Sequence, residues 1–104
     1  MESRSSEKPQ ALPARMLEVK VENFAFTPSS ITARKGEPVT LRLIGVTGAH
    51  GFYIPDLGLN VPIAAGQTVD VTLPTGRPGT YRIICSLYCG SGHGDMTGTL
   101  VITE

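Results

Sequence analysis

The chain has 104 residues, enough for one domain around one modest hydrophobic core. Its nine basic and nine acidic side chains cancel and lie scattered, which excludes the basic stripe that nucleic-acid binding needs. Twelve glycines and eight prolines interrupt a sequence rich in Val, Ile, Leu and Thr, a mixture that selects short strands joined by tight turns.

Residues 1–15 are polar, contain proline and show no periodicity, so they read as a flexible N-terminal tail or linker, with the folded domain over 16–104. From Leu17 the pattern changes. Leu17, Val19 and Val21 alternate with Glu18, Lys20 and Glu22, the period of a half-buried strand, and Phe24 and Phe26 continue it until Pro28. Ser30 to Arg34 reads as a second strand, ended by Lys35-Gly36. Val39, Leu41 and Leu43 alternate with Thr40 and Arg42 in a third. Gly51 to Ile54 is extended, Pro55 to Asn60 is a loop, and Val61 to Ile63 is a short edge segment. Pro62 fits there only where no ladder donor is needed. Val69, Val71 and Leu73 share one face of a strand from Thr68 to Leu73. Thr80 to Ile84 runs directly into Cys85, and Thr99 to Ile102 closes the chain. No helix longer than a turn is expected. This spacing of strands and turns implies an all-β sandwich or barrel of Greek-key type.

No apolar run approaches the roughly 18 residues that span a membrane. The N-terminus also lacks the apolar stretch of a secretory signal. Either the chain is cytosolic, or a signal or anchor has been removed ahead of Met1.

Chemistry concentrates between two strands, in Cys85-Ser86-Leu87-Tyr88-Cys89-Gly90-Ser91-Gly92-His93-Gly94-Asp95-Met96. Thiolate and thioether are soft donors suited to copper, and imidazole accepts either copper oxidation state. Gly90, Gly92 and Gly94 give the backbone freedom to converge these side chains. His50, in Gly48-Ala49-His50-Gly51, can supply a second imidazole, since a sandwich gathers the loops of one end. Cys85, His50, His93 and Met96 make up a blue-copper set. Cys89 is then a surplus thiolate, and two thiolates can bridge two copper ions that each take one imidazole.

Rival readings exist for the cysteines. Taken alone, Cys85 and Cys89 read as a local disulfide or as buried thiols. Two Cys with two His also match structural zinc, which leaves Met96 without a role. A copper-delivery protein can carry the same Cys spacing with a distant His, but on a thioredoxin-like fold whose helices this sequence lacks.

The order His50, then C-x3-C-x3-H-x2-M over 85–96, resembles the copper A domain of cytochrome c oxidase subunit II, whose binuclear site also occurs in nitrous oxide reductase. The resemblance covers 17–104. It includes His50-Gly51-Phe52, the run from Pro78 through Gly79-Thr80-Tyr81-Arg82 to Cys85, and Met96-Thr97-Gly98-Thr99-Leu100-Val101. It implies a cupredoxin-like fold and a binuclear centre of two copper ions. By the same resemblance Cys85 and Cys89 are the bridging thiolates, and His50 and His93 each bind one copper. Met96 is a weak ligand to the copper held by His50, and Leu87 offers its backbone carbonyl to the other. Many members carry Glu where this chain has Leu87, but a carbonyl ligand does not depend on its side chain.

The implied role is electron carriage, not catalysis by the domain itself. Electrons would come from a cytochrome c-type donor and pass to subunit I of a haem-copper oxidase, on the outer face of the cytoplasmic membrane or in the periplasm. The alternative is a free-standing cupredoxin-type carrier or copper-delivery module with the same site. Many oxidase subunits present an exposed Trp to their cytochrome, and this chain has none. Electrons are therefore expected to enter around Phe52, Tyr88 or Met96, with Asp56 and Asp70 as candidates for an acidic docking face.

Overall fold

Alternating side chains give each strand one apolar face, and such faces are stable only when two sheets close over them. The computed structural model describes residues 13–87, 94 and 96–104. Its strands are β1 (Arg15–Glu22), β2 (Ala25–Thr27), β3 (Ser30–Arg34), β4 (Val39–Gly45), β5 (Ala49–Ile54), β6 (Leu59–Ala64), β7 (Thr68–Leu73), β8 (Gly79–Cys85) and β9 (Thr97–Thr103). They form a five-stranded sheet in the order β3-β9-β8-β5-β6 and a four-stranded sheet in the order β2-β1-β4-β7. The all-β sandwich expected from the sequence is what the chain adopts. A 3-10 turn at Pro55–Leu57 is closed by Gly58 in a left-handed conformation at φ 65°.

The central strand β4 buries Val39, Leu41 and Leu43, pairing parallel with β1 and antiparallel with β7. Facing it, β9 lies between β3, to which it is parallel, and β8, to which it is antiparallel. Phe26 of the smaller sheet meets Phe52 of the larger edge-on, ring centroids 5.4 Å apart and planes at 87°. That geometry contributes about 0.5–1.5 kcal/mol beyond the apolar area it buries.

Two local expectations change. The alternation from Leu17 to Phe26 breaks at Asn23-Phe24, where the chain reverses and β2 pairs back on β1, Val21 opposite Phe26. Phe26 is therefore buried while Phe24 is 37% exposed. Asn23 is the turn-forming residue that allows it. Also, β6 begins at Leu59, inside the stretch expected to be loop. It pairs antiparallel with β5 at the sheet edge, where Pro62 stands opposite Gly51.

The sandwich has two differently built ends. One gathers the start of β1 and the ends of β3 and β9 around Glu37. The Glu37 carboxylate accepts the Arg34 amide (3.0 Å) and pairs with Arg15 (2.9 Å). Its backbone carbonyl accepts the Thr75 hydroxyl at 2.8 Å. The other end collects the close of β4, the start of β5, the close of β8 and the start of β9. The chemistry-bearing residues fall there.

Candidate metal centre

His50 is the second residue of β5 and Cys85 the last of β8. These strands run antiparallel with Phe52 opposite Cys85, so the start of one reaches the end of the other. Strand alternation turns His50, Phe52 and Ile54 to the core from β5, and Tyr81, Ile83 and Cys85 from β8. His50 is 1% exposed and Cys85 5%. β9 pairs Thr97 with Ile84, which brings Met96, one residue earlier and 1% exposed, beside the close of β8.

Inside this cup the donors converge. Cys85 Sγ lies 3.8 Å from His50 Nδ1, and the Cys85 thiol donates to the Leu87 carbonyl at 3.1 Å. The opposite ring nitrogen, His50 Nε2, is 2.8 Å from the Thr47 carbonyl oxygen. A carbonyl can only accept, so Nε2 carries the proton. In the neutral ring Nδ1 then presents its lone pair toward the cysteine sulfur. Ligating histidines use this arrangement, with the non-ligating N–H fixed on an oxygen.

Thr47 is itself held. Its hydroxyl accepts the Asn23 amide at 2.8 Å, tying the turn between β1 and β2 to the loop ahead of His50. Gly48 between them has φ +73°, and a Cβ there would strike the Asn23 side chain and come within 2.9 Å of His50 Nε2. Glycine is therefore required by both conformation and space.

Among the expected site residues, His50, Cys85, Leu87 and Met96 lie at this end of the sandwich, while Cys89 and His93 lie outside the described residues, as do Tyr88 and Asp95. Among the described residues no three His, Cys, Asp or Glu side chains gather into one cluster. What is present is a buried thiol with an imidazole nitrogen and a carbonyl oxygen against it, and the buried Met96 beside the close of β8. Such a soft set fits copper and could hold it.

Two expectations about the surroundings are corrected. Phe52 is fully buried and Met96 nearly so, because both occupy inward strand positions; neither offers a surface to a partner. Among the described residues, the exposed large apolar side chains at this end are Phe24 (37%), Val46 (43%) and Leu87 (43%). The acids are also misplaced for docking. Asp56 follows the far end of β5, where it borders a hollow of about 260 Å³ with Leu57, Pro74, Gly76 and Arg77. Asp70 sits within β7, bonded to Arg42 through both oxygens (2.9 and 3.1 Å), and that hydrogen bonding holds its carboxyl below the usual range.

A model of the cupredoxin-like domain family matches residues 3–102. The chain is 36% identical over 81 residues to cytochrome c oxidase subunit 2 of Thermus thermophilus, covering 78% of this chain and 60% of that protein. It thus spans less than two thirds of that relative's length. Among solved structures, the periplasmic domain of subunit II of cytochrome oxidase (CoxB) of Bradyrhizobium japonicum superposes with a TM-score of 0.76 at 15% identity, covering 92% of this chain and 87% of the other. Auracyanin B superposes with a TM-score of 0.70 at 22% identity, covering 95% and 96%. Among the described residues no helix is long and apolar enough to cross a membrane.

Proposed function

Because this chain belongs to the cupredoxin-like domain family, we propose that it is an electron-transfer domain built around a binuclear copper A centre. The observation that carries the reading is the orientation of His50, its Nε2 fixed on the Thr47 carbonyl and its Nδ1 turned to Cys85 Sγ at 3.8 Å. Cys85 and Cys89 would hold both ions as bridging thiolates. His50 and His93 would each hold one, Leu87 would offer its carbonyl to one of them, and Met96 would be the weak ligand on the His50 side. Copper so bound supplies one-electron oxidation and reduction, with the charge spread over two ions.

The protein's part is to change as little as possible. His50 and Cys85 are anchored in paired strands, so their donors keep one arrangement whatever charge they face. Phe52, opposite Cys85 in the ladder, packs edge-on against Phe26 in the core. Phe24, Val46 and Leu87 expose apolar side chains at the same end, which suits brief docking without a Trp. The similarity to oxidase subunits supports a cytochrome c-type donor, subunit I of a haem-copper oxidase as acceptor, and a position outside the cytoplasmic membrane.

Cys89→Ser tests the bridge. It leaves Cys85, His50, His93 and Met96, still a blue-copper set, so the variant should fold and bind one copper with altered colour. Copper content and unfolding midpoint are measured beside the parent. An unchanged two-copper spectrum would remove Cys89 from the bridge. Loss of metal together with folding would point to structural zinc.

A further inference from the structure

Ser86 stands between Cys85 and Leu87, the residues whose sulfur and carbonyl oxygen meet at 3.1 Å. Its backbone N–H donates to the Gly51 carbonyl at 3.0 Å, carrying the β5–β8 pairing one residue past Phe52 and Cys85. Alternation turns its side chain away from the core that receives Cys85. The side chain crosses β5 at Gly51, where a Cβ would collide with the Ser86 hydroxyl. Beyond that gap Ser86 Oγ donates to Asn60 Oδ1 on β6 at 2.8 Å.

We propose that Ser86, seated over Gly51 and tied to Asn60, is the positioning residue that turns the Leu87 carbonyl back onto the Cys85 sulfur and so shapes the copper site. Its backbone is fixed on β5 and its side chain on β6, so few torsions remain between Ser86 and the Leu87 oxygen. Releasing either tie lets the carbonyl swing. An incidental surface hydrogen bond would tolerate a side chain at 51, whereas this one needs the space that Gly51 leaves. Its consequence for the metal rests on the copper reading above; the positioning itself does not.

The test uses the full chain, metal-free and copper-loaded, with Ser86→Ala, Asn60→Ala, the double variant and Ser86→Thr. In the metal-free protein the Leu87 carbonyl and Cys85 Cβ resonances should move alike in both single alanine variants, while Thr75 and Thr103 at the far end stay still. Ser86→Thr, which keeps the hydroxyl, should restore the parent shifts. In the copper-loaded protein each single variant should weaken copper binding about tenfold and move the reduction potential in one direction. The double variant should move it no further than either single one, because one interaction is being removed twice. Unmoved Leu87 and Cys85 resonances in both single variants would overturn the proposal, as would additive effects. So would a lowered unfolding midpoint with an unchanged potential. A parent chain that takes up no copper would sink the copper reading alone, since the metal-free resonances still decide the role of Ser86.

Discussion

The ring of His50 is oriented by its neighbours. The Thr47 carbonyl fixes its tautomer, and Asn23 and Gly48 fix Thr47. Gly48→Ala should therefore act twice. The left-handed backbone at +73° costs a non-glycine residue about 1–2 kcal/mol, and the added methyl presses on Asn23 and His50. A lower denaturation midpoint accompanied by weaker copper retention is the expected pair of results; a midpoint shift alone would separate Gly48 from the site. Leu87→Ala should do little, since the carbonyl carries the contact and the side chain is 43% exposed. Copper content should stay, with stability within about 0.5 kcal/mol of the parent. Met96→Leu conserves volume, so it should cost less than about 1.5 kcal/mol while moving the potential. At this scale the candidate donors stood out in the sequence because soft-ligand chemistry restricts residue type. Thr47, Asn23 and Ser86 did not, since a carbonyl acceptor or a single hydroxyl leaves no signature of residue type.

Strand parity was the most readable property of the elements. It predicted the inward sets on β1, β4 and β7, and it failed where the chain reversed. Across the turn at Asn23-Phe24 the apolar positions shift from odd (Leu17, Val19, Val21) to even, and the reversal sends Phe24 to solvent and Phe26 to the core. Length was less legible, since β6 extends through a stretch whose Gly and Pro spell loop, and its pairing with β5 is a long-range contact. The element-level test concerns that neighbourhood. Gly51→Ala places a methyl against the Ser86 hydroxyl where β5 meets the close of β8. Overpacking of this kind costs about 1–3 kcal/mol. The loss should appear as faster amide exchange at Ser86, whose N–H bonds the Gly51 carbonyl, with the interior of β4 still protected. Uniform loss of protection across both sheets would mean that the contact is not local.

Across the whole molecule, the two ends divide the labour. The Glu37 end ties strands together through Arg15, Arg34 and Thr75, and the opposite end carries the candidate donors. The Arg34 amide, with help from the Arg15 guanidinium, keeps the Glu37 carboxyl below its ordinary range. A lowered folded pKa stabilises above the unfolded value and is lost as pH falls through the folded one. The stability difference between parent and Glu37→Gln should thus be full above about pH 5 and shrink below about pH 4. A gap that widens in acid would reverse the sign. Between the ends, Phe52→Ala should cost roughly 3–5 kcal/mol, a large share of a small domain's total stability. Fold class and the location of the chemistry at one end followed from the sequence, because periodicity and loop clustering are coarse properties. The burial of Phe52 and the placement of Asp56 at the wrong end did not, because the first depends on which face of β5 the residue takes and the second on which end of β5 it follows. The central claim is that two thiolates and two imidazoles hold two coppers that share one electron. The copper-to-protein ratio and the EPR spectrum of the oxidised protein test it together. Two coppers per chain with one unpaired electron spread over both is the result required, and one copper with an ordinary blue-copper spectrum would contradict it.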